Sequence, residues 1–155
     1  MGINVRTKGA EGEREVARAL NSIVHSVLTA RAIPIPPVDI IQRNQNQSAV
    51  GGSDLKNPFG LAIEVKRQEQ LAINTWWAQC IASAERANEL PILLYRQNGK
   101  RAWHVVMMGS LAGYAPIEQN SVSLLVRCEV EWDSFLQWFY HWVDRKIHHG
   151  LEVRA

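Results

Sequence analysis

Apolar residues recur at helical spacing from Lys8 to about Ala30, at Val16, Ala17, Leu20, Val24 and Val27, so the chain opens on an amphipathic helix with one buried stripe. Glu13 falls inside that stripe. At about 100° per residue, Glu11 and Glu15 turn toward solvent, whereas Glu13 projects with Val16, Ala17 and Leu20. A carboxylate aimed at the core needs a partner. It serves either the helix N-terminus, as a first-turn acid, or a site.

The stretch Gln42 to Gly52 is polar and closes on two glycines, which let the backbone turn sharply and deliver Asp54 at a bend. Ser53-Asp54 also reads as an ordinary hairpin turn. Beyond it, Leu61-Ala62-Ile63-Glu64-Val65-Lys66 alternates as a strand. Residues two apart share a face, so Glu64 and Lys66 emerge together while Leu61, Ile63 and Val65 face the other way. Glu-x-Lys on a strand is usually a solvated surface. If Asp54 ends a neighbouring strand, two carboxylates and a lysine converge, a set that suits a hard divalent cation, an attacking water and phosphodiester hydrolysis.

Asn74 or Thr75 caps a second helix running to about Glu89, with Trp77, Cys80, Ile81, Ala84 and Ala87 as its apolar stripe. Gln79 lies off that stripe, on a flank shared with Trp76. Pro91–Arg96 and Ala102–Met107 read as strands joined through Gln97-Asn98-Gly99-Lys100, an Asn-Gly turn signal. A strand near Ser123 to Val130 leads to a last helix capped by Asp133, apolar at Phe135, Leu136, Phe139, Trp142, Val143 and Ile147. Helices alternating with strands over residues 1–155 predict a single α/β domain, long enough to bury a core. Three of the six tryptophans, Trp132, Trp138 and Trp142, crowd the last helix. Such an excess suits the core, or a two-fold homodimer interface.

Lysine and arginine outnumber aspartate and glutamate by only 17 to 15, which excludes binding to duplex through bulk charge. Any nucleic acid is therefore held by local patches. Lys8, Arg43 and Arg67 are the candidates, together with Arg6, whose plainer reading is a solvated charge. The run Gln42-Arg43-Asn44-Gln45-Asn46-Gln47-Ser48 is either a loop that orders on DNA or a linker. Cys80 and Cys128 stand far apart, as reduced thiols do, and His148-His149 fits a solvated tail better than a metal site. No Gly-rich phosphate loop or Gly-x-Ser-x-Gly elbow competes with the acidic set. Without a signal peptide or a bilayer-length apolar run, the expected location is the cytoplasm of a bacterial or phage-infected cell, with no membrane partner.

Three segments in this order, Lys8-Gly9-Ala10-Glu11-Gly12-Glu13-Arg14-Glu15, Gly52-Ser53-Asp54-Leu55 and Ile63-Glu64-Val65-Lys66, resemble the PD-(D/E)xK nucleases. Within them the chain is most similar to archaeal-type Holliday junction resolvases and related phage-encoded endonucleases. The resemblance covers roughly residues 6–108, and Ser53-Asp54 stands where the superfamily has Pro-Asp. It implies a restriction-endonuclease-like core, a central mixed sheet flanked by helices in the order αβββαβ, followed by a C-terminal helix. It also implies a metal-dependent DNA endonuclease using Mg²⁺, with Mn²⁺ as a substitute. Asp54 and Glu64 would bind the metal, the Val65 carbonyl would add a ligand, and Glu13 would complete the site. Lys66 would hold or polarise the water. Gln79 either reaches the phosphate or water, as helices placed here in related nucleases do, or faces solvent. Ser53 joins Lys8, Arg43 and Arg67 as an implied DNA contact. Three close carboxylates repel, so without metal at least one should have a raised pKa. The implied substrate is branched or junction DNA; a flap, end or restriction-type nuclease and a non-catalytic DNA-binding module with a vestigial site remain as alternatives.

Overall fold

In the computed structural model, which describes residues 5–45, 52–112 and 123–153, the elements run α1 (Val5–Ala30), β1 (Gln42–Arg43), β2 (Leu55–Lys56), β3 (Leu61–Gln68), α2 (Ile73–Ala87), β4 (Leu90–Gln97), β5 (His104–Ala112), β6 (Ser123–Glu131) and α3 (Trp132–His148). The strands form one sheet in sequence order. Every neighbouring pair is antiparallel except β3 and β4, which are parallel because α2 returns the chain along the sheet. This is the mixed α/β sheet with flanking helices and a C-terminal helix that a restriction-endonuclease-like core requires. Residues 46–48 of the Gln/Asn-rich run, and the side chain of Arg6, lie outside the described residues.

Alternation along β3 divides the interior into two layers. Leu61, Ile63 and Val65 enter the larger core with Val16, Leu20, Val24 and Val27 of α1 and with Phe135, Phe139 and Val143 of α3. The other face packs Leu93, Tyr95 and Val106 under Trp76, Trp77 and Cys80 of α2. Each fully buried Leu, Ile, Val or Phe contributes roughly 1.5–3 kcal/mol, so the two layers hold β3 from both sides. Glu64 therefore emerges under a helix, and its burial to 7 % exposure removes the solvated-surface reading of Glu-x-Lys.

Close packing at the start of α1 depends on Gly12. A Cβ there would stand 3.2 Å from the Trp103 ring and 3.4 Å from the Arg67 Cβ. Deeper in the same helix, Asn21 is buried and clasps Ile41 on both sides: its Nδ2 donates to the Ile41 carbonyl at 2.8 Å and its Oδ1 accepts the Ile41 N–H at 2.9 Å. This clasp sets the approach to β1 against α1, and so brings Arg43 to the first turns of the helix.

Several local expectations shift. Helix α2 begins at Ile73 after Ala72, with no side-chain cap, because Asn74 Oδ1 instead accepts from Arg127 at 2.8 Å. Its buried face is Trp76, Trp77, Cys80, Ser83 and Ala84, leaving Ala87 exposed. Likewise α3 follows Glu131, and Asp133 lies inside its first turn, where the helix dipole favours it. The β4–β5 turn closes with Lys100 N–H to the Gln97 carbonyl at 3.1 Å. Only Gly99, at φ 79°, adopts positive φ there, a type II pattern that does not continue the strand twist. Pairing accordingly resumes at Tyr95 and His104 rather than at Ala102.

The aromatic residues of α3 find partners inside the chain. Trp138 stacks on Trp142 at 5.2 Å and on Phe135 at 5.8 Å, and Trp142 Nε1 donates to the Phe59 carbonyl at 3.0 Å. Cys80 and Cys128 are free thiols. Among the described residues no helix is long and apolar enough to cross a membrane.

Candidate active site

Asp54 is delivered immediately before β2, whose register with β3 sets Leu55 opposite Ile63. From there its Oδ2 reaches the Val65 N–H at 2.7 Å. Beyond Ile63 the β3 edge is thus closed by a side chain instead of a strand. In extended backbone a residue's N–H and C=O point to the same edge, so the Val65 carbonyl faces the edge that Asp54 occupies. Glu64 projects onto the α2 face beside Asp54, and Lys66 follows it two residues on. The Lys66 Nζ lies 3.1 Å from Glu64 Oε2 and 3.6 Å from Asp54 Oδ2. Asp54, Glu64, the Val65 backbone and Lys66 are therefore brought together as the sequence suggests.

Burial dominates the electrostatics of this cluster. It pushes the Glu64 carboxyl up to about 7, with the Asp54 charge adding to the shift against the pull of Lys66. For Lys66, burial works against the charged form, but Asp54 and Glu64 together outweigh it and hold the ammonium above its usual range. The nearby Cys80 thiol is pushed up to about 12 by burial and then by the Glu64 charge, so it is no nucleophile.

Glu13 comes to the same region from α1, where burial, and the Asp54 charge with it, raise its pKa against Arg43 and Lys66. Its direct partner is Arg43, whose Nε stands 2.6 Å from Glu13 Oε2. Among the described residues no three His, Cys, Asp or Glu side chains are placed to hold a metal ion. The available donors are two carboxylates and one carbonyl. That number fits Mg²⁺, which binds through one or two carboxylates and completes its shell with water and substrate phosphate.

The remaining candidates are more dispersed. Gln79 is exposed on α2. Lys8 is half-buried in the first turns of α1. The Ser53 hydroxyl donates to the Leu55 carbonyl at 3.3 Å, and Arg67 pairs with Glu11 at 3.4 Å.

One cluster escapes the sequence pattern. Glu15, expected in solvent, forms two 2.8 Å bonds to Arg96 and accepts the Trp103 indole N–H at 3.0 Å, while the Arg96 guanidinium lies 4.5 Å over the Trp103 ring. Burial raises the Glu15 pKa, yet these donors hold it below the usual carboxylate range. The clamp fastens the start of α1 to β4, and so fixes where Glu13 points. Its only local signal is a basic residue, Arg96, ending an otherwise apolar strand.

A protein-family model described as "Phage putative PDDEXK endonuclease" matches residues 4–133, a span that runs from α1 to the start of α3 and contains the whole cluster. The chain belongs to this family. No curated protein and no solved structure matches it. In this member of the phage PDDEXK endonucleases the acidic pair and lysine lie just before β2 and on β3, with Ser53 before Asp54.

Proposed function

We propose that this chain is a metal-dependent DNA endonuclease whose chemistry lies at Asp54, Glu64 and Lys66. The observation that carries the reading is the buried carboxylate pair bridged by one ammonium, at the edge of β3 and inside the span matched by the endonuclease family. Asp54, Glu64 and the Val65 carbonyl hold Mg²⁺, for which Mn²⁺ substitutes. When bound, the cation supplies Lewis acidity and offsets charge at the scissile phosphate. Lys66 orients the attacking water and neutralises charge that grows on the phosphate oxygens. Glu13 joins the acidic set, and Gln79 approaches from α2.

The substrate we propose is branched DNA, as for a junction resolvase, cut by a homodimer in the cytoplasm of a bacterial or phage-infected cell. Paired symmetric nicks need two sites related by a two-fold axis. The test is cleavage of labelled four-way junction, flap, single-stranded and linear duplex DNA with Mg²⁺, beside Glu64→Ala and an EDTA control. Paired nicks on the junction alone support the resolvase. Cleavage of the other substrates makes it a flap, end or general nuclease, and no metal-dependent cleavage of any of the four leaves a DNA-binding module.

A further inference from the structure

We infer that Arg43 is a latch on Glu13: in the free protein it engages the Glu13 carboxylate, and a nucleic-acid phosphate that takes the guanidinium releases Glu13 to join Asp54 and Glu64. This rests on the nuclease reading of the site.

Three observations carry it. First, the Arg43–Glu13 contact is short, 2.6 Å, and shielded, with the Glu13 side chain only 12 % exposed. A charge-assisted bond of that kind engages one lobe of the carboxylate that a cation would use. Second, Glu13 is within electrostatic reach of Asp54 and Lys66, although no three-acid group is formed among the described residues. The missing third carboxylate is thus close by and already engaged. Third, Arg43 has another anion available. It lines an open cleft of about 420 Å³ with Arg14 and Arg18, where Asp39 is the one acidic side chain among the described residues. Arg14 and Arg18 make no ion pair among the described residues, while Glu11, Glu13 and Glu15 of the same helix are each paired elsewhere. The cleft therefore attracts an anion, and a phosphate offers a guanidinium two parallel acceptors.

Arg43 is then a positioning residue, and substrate binding itself completes the acidic set. Its removal should strengthen metal binding when no DNA is present. The experiment is calorimetric titration of Mn²⁺ into the DNA-free chain, comparing wild type, Arg43→Gln, Glu13→Gln and the double variant, with thermal melts in EDTA to confirm folding. The expected result is Mn²⁺ affinity on the order of five-fold or more tighter in Arg43→Gln. That gain should vanish in the double variant, because Glu13 delivers it. Unchanged or weaker affinity in Arg43→Gln overturns the latch. So does a gain that survives Glu13→Gln, since removal of a nearby positive charge then explains it. Absence of Mn²⁺ uptake by all four proteins overturns the metal reading beneath it as well, whereas metal uptake without DNA cleavage overturns the nuclease reading alone.

Discussion

Asp54 Oδ2 accepts the backbone N–H of Val65 at 2.7 Å, so one carboxylate both closes the edge of β3 and faces the Lys66 ammonium. The two duties separate by substitution. Asp54→Asn keeps an acceptor for the Val65 N–H and should fold with nearly wild-type stability while losing cleavage. Asp54→Ala leaves that buried N–H unpaired and should cost about 1–3 kcal/mol in addition. Urea melts of both variants beside a cleavage assay decide it; equal stability of the two would show that the bond does not hold the edge.

Glu64 gives the metal-free protein a pH dependence of definite sign. Its carboxyl is pushed up to about 7 in the folded chain, against 4.5 for a free glutamate, so the folded chain binds the extra proton between those values. This contribution to stability is present at the acidic end of the window, declines as pH rises toward 7, and is level above it. At ~1.4 kcal/mol per unit, wild type should lose on the order of 1–3 kcal/mol relative to Glu64→Gln between about pH 5 and 8. Urea melts in EDTA at several pH values measure the difference. A gap that stays constant across the window would contradict the raised carboxyl.

The Glu15–Arg96–Trp103 clamp predicts a stability effect away from the carboxylate pair. Arg96 is buried and makes two bonds to Glu15 as well as a cation–π contact, but Glu15 is partly solvated, which discounts the ion pair. Arg96→Ala should cost about 2 kcal/mol, and Arg96→Lys somewhat less, because an ammonium keeps the charge but not the two-pronged bond. Chemical denaturation checks both. If Arg96→Ala melts like wild type, the clamp does not fasten α1.

Where the sequence speaks clearly, it does so over short distances. Alternation along Leu61–Lys66 places Glu64 and Lys66 on one face, and the stripe of α1 singles out Glu13, because both periods depend only on nearby residues. What stays hidden are partnerships across the fold. Arg43 is thirty positions from Glu13 and Trp103 eighty-eight from Glu15, and no local pattern links them. Asn21 is a partial exception: a polar residue next to Leu20 at the edge of the buried stripe signals a buried clasp but not that Ile41 is its partner. The helix starts fail for a related reason. Asn74 has the propensity of a cap, yet a strand residue, Arg127, claims its side-chain oxygen.

Lys66 should separate metal holding from chemistry. Its ammonium sits 3.1 Å from Glu64 and 3.6 Å from Asp54, so it neutralises the pair without supplying a ligand. Lys66→Met removes that charge and leaves both carboxylates in place. Two effects then oppose each other: the unneutralised pair attracts a divalent cation more strongly, while the Glu64 carboxyl, its cationic neighbour gone, rises further and resists ionisation at neutral pH. The second effect fades only above that further-raised value, where Glu64 is ionised. Metal affinity there should match or exceed wild type, while cleavage falls at least 10²–10³-fold through loss of the group that offsets transition-state charge. Calorimetry and single-turnover cleavage on the same preparation give both quantities. Loss of metal binding together with cleavage would assign Lys66 to building the site rather than to its chemistry.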